Sequence, residues 1–77
     1  MKELSIRLDS IEAVKEFVAK ANQCSFDIDL VSGRYAIDAK SIMGIFSLDL
    51  NKAVKLVVHD EGSAAEEFLD FAKKFSV

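Results

Sequence analysis

The sequence predicts an α+β open-faced sandwich, a four-stranded antiparallel sheet with helices laid on one face. Three observations predict it. Four separate stretches alternate apolar and polar residues, the period of a half-buried strand. Two longer stretches between and after them carry apolar residues at helical spacing. Amphipathic strands with one wet face need a layer of helices on the other.

The elements follow in order. Leu4, Ile6 and Leu8 alternate with Glu3, Ser5 and Arg7, which predicts a strand over 2–8. Asp9-Ser10-Ile11-Glu12 has the form of a capping box, with an acceptor at Asp9 and Glu12 three residues on. Ile11, Val14, Phe17, Val18 and Ala21 then form the apolar stripe of a helix over 10–22, supported by Glu16 and Lys20 four residues apart. Phe26, Ile28 and Leu30 mark a second strand over 25–31, and Tyr35, Ile37 and Ala39 a third over 34–39. A two-residue turn at Ser32-Gly33 would pair Leu30 with Tyr35, Ile28 with Ile37 and Phe26 with Ala39. Residues 41–46 are short, apolar and serine-capped, the pattern of a helix of one or two turns. Val54, Leu56 and Val58 predict a fourth strand over 53–59. Ser63-Ala64-Ala65-Glu66 reads as a second capping box opening a helix over 63–75. The order is βαββαβα. A ferredoxin-like split βαβ shares its first six elements, and periodicity does not separate the two strand orders.

Composition narrows the function. The chain has 77 residues, 51% of them hydrophobic, with 13 acids against 10 bases and a net charge of −3. This length holds one domain, 1–77. The acidic balance argues against nucleic acid, whose phosphates call for clustered Lys and Arg. No apolar run approaches the ~20 residues that span a bilayer, and the charged N-terminal stretch is unlike a signal peptide. A cytoplasmic protein without membrane contact is expected. Cys24, the only cysteine, excludes an internal disulfide and reads as a half-buried structural residue. No phosphate-binding glycine loop, metal-spaced cluster or nucleophile–base set is present, so neither an enzyme nor a cofactor is expected.

Lys40-Ser41-Ile42-Met43-Gly44-Ile45-Phe46-Ser47-Leu48, between the third and fourth strands, resembles the regulatory segment of the histidine-containing phosphocarrier (HPr) family. These are the small carriers of the bacterial phosphoenolpyruvate-dependent sugar phosphotransferase system. The resemblance implies an HPr-like fold with strand order 1-4-2-3. It also implies partners: Enzyme I, HPr kinase/phosphorylase and the sugar permease domains. Ser41 matches the serine that the kinase modifies in carbon catabolite regulation. Lys40, Ile42, Met43, Ile45 and Phe46 match the partner-binding surface, and Lys40 would add a cation beside Ser41; the other reading of the apolar four is that Ile42, Ile45 and Phe46 plug the end of the sheet and leave only Met43 exposed. The family's glycine after this helix is replaced by Asp49, which implies a different helix end.

The family's carrier motif at the entry to the first helix consists of Gly, an apolar residue, His, a small residue, Arg and Pro. Here the histidine position falls near Ser10, the arginine near Glu12 and the proline near Ala13. Imidazole forms a labile, transferable phosphoramidate, whereas serine forms a stable ester, and Glu12 would repel the group that an arginine attracts. The resemblance therefore implies a divergent member that lacks the active-site histidine and acts as a docking or regulatory module phosphorylated at Ser41. Two other readings stand beside it. One is an active carrier using another acceptor, for which His59, the only histidine, is the candidate. The other is a structural or oligomerisation domain burying residues 42–46 in a symmetric dimer. Asp27, Asp29 and Asp38 share the open face, with Asp27 opposite Asp38 in the expected register. They could hold a hard cation or serve acid–base chemistry. A solvated charged face, offset by Arg7 and Lys55, is the plainer expectation.

Overall fold

A computed structural model describes residues 2–77; Met1, part of the expected domain, lies outside them. Four strands, β1 (Lys2–Ile6), β2 (Ile28–Ser32), β3 (Tyr35–Asp38) and β4 (Val54–Val58), form one antiparallel sheet in the order β1-β4-β2-β3. Three helices, α1 (Ile11–Ala21), α2 (Ile42–Phe46) and α3 (Ser63–Ala72), cover one face, and a 3-10 turn, Lys73–Phe75, closes the chain. This is the βαββαβα order and the 1-4-2-3 sheet that the resemblance implies; the split-βαβ alternative is set aside by the strand order.

The core is the set of inward residues read from the alternation. Ile6, Leu8, Ile28, Leu30, Leu56 and Val58 from the sheet side meet Val14, Phe17, Ala21, Ile45, Ala65, Phe68 and Ala72 from the helices. Phe17 anchors the two long helices. Its ring meets Phe68 edge-on at 5.6 Å and Phe75 at 6.2 Å, a preferred aromatic geometry. Lys74 lies over Phe71 and Phe75 and pairs with Glu16, tying the end of the chain to α1.

Several local expectations are corrected. Ser10, not Asp9, caps α1: its backbone is extended and its Oγ accepts from Ala13 N at 3.0 Å. The hydroxyl already satisfies one of the free N–H groups of the first turn, so the Asp9–Glu12 box does not form. Ile11, expected in the apolar stripe, is exposed. The second box is absent too. Gly62 caps α3 without a side-chain hydrogen bond, and Asp60 Oδ2 accepts from Gly62 N at 3.0 Å just before it. All four strands start or stop short of the expected bounds, although β2 runs on to Ser32, and Phe26 precedes β2 as a half-buried residue.

The hairpin turns at Gly33-Arg34, one residue later than expected. Gly33 alone among the described residues has a positive φ (59°), and a two-residue turn that opens on glycine needs it in the first position. The register therefore slips by two. Leu30 pairs with Ile37, Ser32 with Tyr35 and Asp29 with Asp38, replacing Leu30–Tyr35, Ile28–Ile37 and Asp27–Asp38. Ala39 N donates to Ile28 O, so Ala39 faces Ile28 rather than Phe26. A slip of two keeps every residue on its face. Tyr35 is nevertheless 73% exposed, because it stands beside the turn, beyond the cover that reaches Ile37.

Candidate functional site

The segment between β3 and β4 is built from its N-cap. Ser41 is extended, its Oγ accepts from Gly44 N at 3.1 Å, and its carbonyl accepts from Ile45 N. The side chain is exposed. Gly44 leaves the hydroxyl room: a Cβ there would stand 3.3 Å from Ser41 Oγ and 3.4 Å from Ile37 Cδ1. The helix ends at Ser47, after which Asp49 Oδ1 accepts from Asn51 N at 3.0 Å. That side-chain turn closes the loop without a left-handed residue, so Asp49 does build the end differently from a glycine.

The apolar residues of α2 divide. Met43 is 78% exposed and Phe46 43% exposed; Ile42 is half-buried; Ile45 is fully buried against the core. Ile45 is thereby removed from the expected partner-binding set. Five residues make too little helix to expose all four apolar side chains, and Ile45 lies on the face turned to the sheet. Lys40 is also reassigned. Its ammonium donates to Cys24 O at 2.9 Å, its carbonyl accepts from Asn22 Nδ2 at 3.1 Å, and its N–H donates to Asp38 Oδ1 at 2.9 Å. It joins the end of α1 to the start of α2 rather than standing beside Ser41 as a spare cation.

At the start of α1, Ser10 and Glu12 are exposed and Ala13 is half-buried. The three residues thus occupy the cap and first turn of an 11-residue helix, where backbone N–H groups and the dipole favour an anion. Glu12 places a negative charge in that turn.

His59 lies elsewhere. It follows β4 on the open face, and its Nε2 sits 2.8 Å from Asp29 Oδ2, with both side chains more than one-third exposed. This contact spans 30 residues of sequence, and no local pattern signals it, because the neighbours in the chain are Asp60 and Glu61. Lys55 pairs with Glu3 at 3.6 Å and not with the aspartates. Asp27, Asp29, Asp38 and His59 border an open hollow of about 300 Å³, but no group of three or more His, Cys, Asp or Glu among the described residues is placed to hold a metal ion. Val57 also faces this side yet is only 7% exposed, between Glu3 and Asp29 on the neighbouring strands.

Cys24 is half-buried, and its Sγ approaches Lys20 O at 3.6 Å. Burial lifts its thiol above the usual value, against the pull of the Lys40 and Lys20 charges. A thiol raised by folding adds stability that is fully present below its unfolded value of about 8.5, and that is lost as pH rises through the raised value. Iodoacetamide at pH 8 should therefore alkylate Cys24 more slowly in the native protein than in urea; equal rates would contradict the burial effect.

No helix among the described residues is long and apolar enough to cross a membrane. The family PTS-HPr, described as the PTS HPr component phosphorylation site, matches residues 11–76. HPr-C-His from Thermoanaerobacter tengcongensis is similar in structure, with a TM-score of 0.76 and 28% identity over 96% of this chain and 93% of that one. The phosphocarrier protein HPr from Bacillus anthracis strain Ames is similar as well. Its TM-score is 0.71, with 29% identity over 99% of this chain and 94% of that one. No curated protein sequence matches.

Proposed function

Because the chain belongs to the HPr family of the phosphotransferase system, we propose that it serves that system as a cytoplasmic docking and regulatory module, and not as a carrier or an enzyme. One observation carries the reading. The head of α1, near which the resemblance places the carrier histidine, has Ser10, whose hydroxyl already accepts a helix N–H, and Glu12 in the first turn. A phosphoserine there would be a stable ester facing a like charge. His59 is a poor substitute, since the Asp29 carboxylate at 2.8 Å would stand against an incoming phosphoryl dianion.

Docking falls to the exposed part of α2. Met43 and Phe46, flanked by half-buried Ile42, offer an apolar contact that a phosphotransferase component or HPr kinase/phosphorylase would cover. Ser41 is the regulatory position. Its exposed hydroxyl, the free space left by Gly44 and the N–H groups of the first turn support phosphorylation there. The test is to incubate the protein with HPr kinase/phosphorylase and ATP and to map the site. Label at Ser41, abolished in Ser41→Ala, is the expected result. The variant loses only about 1 kcal/mol with its cap, so it stays folded. No label at Ser41, together with no binding to any phosphotransferase component, would overturn the reading.

A further inference from the structure

The two edges of the sheet are treated differently. The end of β1's outer edge is strapped by residues 75–77: Arg7 N donates to Phe75 O, Val77 N donates to Ser5 O, and Ser76 bridges Ile6. Among the described residues, the outer edge of β3 has no such strap. Ala39 N donates to Ile28 O, and in an antiparallel ladder the residues two apart turn the same way. Ile37 and Tyr35 therefore turn their backbone groups to β2, and Ala36 and Asp38 turn theirs outward. Asp38 O is taken by Ser41 N, which leaves Ala36 N–H and C=O and Asp38 N–H free on the edge.

The sequence along this edge, Arg34-Tyr35-Ala36-Ile37-Asp38, is complementary to itself when run antiparallel. With a twofold axis at Ala36, Ala36 faces Ala36 of the second copy, Tyr35 faces Ile37, and Arg34 faces Asp38. This register uses the free groups: the Ala36 pair exchanges hydrogen bonds, and Asp38 N–H meets the Arg34 carbonyl. The charges agree as well. Among the described residues neither Arg34 nor Asp38 has an ion-pair partner. Asp38 moreover faces Asp29, whose own partner is His59. A guanidinium arriving from a second copy would relieve that like-charge pair. Tyr35, 73% exposed, would gain Ile37 as a cross-strand neighbour.

We propose that a second copy of this chain adds across the β3 edge, forming a symmetric dimer with a continuous eight-stranded sheet. An isologous contact requires each residue to meet a complement of itself through the axis, which this segment does. The contact is small, so the dimer is a weak, reversible one. It uses neither Ser41 nor the Met43–Phe46 surface and stands or falls independently of the function proposed above.

Sedimentation of the wild-type protein should give a reversible monomer–dimer equilibrium that weakens with salt. Arg34→Asp or Asp38→Arg alone sets like charges opposite each other twice and should weaken association on the order of tenfold or more. An equal mixture of the two variants sets every charge opposite its complement and should regain the dimer. Ala36→Pro, which removes an outward N–H and leaves the β2 ladder intact, should abolish association with little change in thermal midpoint. A wild-type chain monomeric up to about 1 mM, a dimer indifferent to all three variants, or a mixture that fails to reassociate would overturn the proposal.

Discussion

Phe17→Ala should lower the unfolding free energy by about 3–5 kcal/mol, the usual cost of deleting a fully buried phenylalanine. At roughly 0.05–0.15 kcal/mol per residue, a domain of this size holds about 4–12 kcal/mol in all, so the variant loses most of its margin. The cost is high because one ring serves three elements. Phe17 lies on the buried face of α1, packs edge-on against Phe68 of α3, and supports Phe75 in the closing 3-10 turn. Phe75 in turn offers its carbonyl to Arg7 on the β1 edge. Amide exchange at Arg7 and Val77 should accelerate along with the loss of stability, since the terminal strap loses its anchor. Lys15→Ala, an exposed change two residues away, should stay within about 0.5 kcal/mol. Urea unfolding of the two variants beside wild type decides the matter; a change below 1 kcal/mol for Phe17→Ala would mean that the helices pack by some other contact.

The second large effect is chemical. Given phosphoenolpyruvate and Enzyme I, the wild-type protein should accumulate no acid-labile phosphate. Ser10→His with Glu12→Arg should acquire it. The double change places an imidazole at the helix start and replaces a repelling carboxylate with a guanidinium, which holds phosphate oxygens through paired N–H bonds. The new histidine forgoes the Ser10 hydrogen bond to Ala13 N, at a cost of about 1 kcal/mol, small against the fold's margin. Mass mapping of the label separates the outcomes. Acid-labile phosphate on His59 of the wild type would overturn the non-carrier reading and revive the alternative acceptor. A double variant that stays unlabelled would mean that the entry to α1 differs from the family's in more than these two side chains.

Much of the fold was legible because alternation and helical spacing report which side of an element is wet, and burial follows from that. Leu4, Ile6 and Leu8, the α1 positions from Val14 to Ala21 and the β4 residues Val54, Leu56 and Val58 needed no knowledge of their partners. Ser41 was legible as a cap, because a serine before an apolar run satisfies a local N–H. Caps with two local candidates were not. Asp9 and Ser10 both offered an oxygen, and Ser10 prevailed through a backbone conformation that sequence does not display. Gly62 displaced Ser63 for the same kind of reason. The hairpin register was legible in its parity but not in its alignment, because turns one residue apart keep the same faces inward.

The candidate site divides in the same way. Exposed Ser41 and Met43 follow from local pattern, whereas the burial of Ile45, the engagement of Lys40 with Cys24 and the pairing of His59 with Asp29 join residues far apart in the chain.

What the sequence determined by itself is the inventory: which faces are apolar, where helices begin, and that the one imidazole lies far along the chain from the start of the first helix. Those properties are local, set by side-chain chemistry and a repeat of two or 3.6 residues. What only the tertiary structure decided is who meets whom. The choice of glycine for the first turn position aligned β2 with β3 and set Asp38 against Asp29, while residues 75–77 strapped only the end of the β1 edge. Such outcomes depend on distances between segments brought together by packing, and no local repeat encodes them.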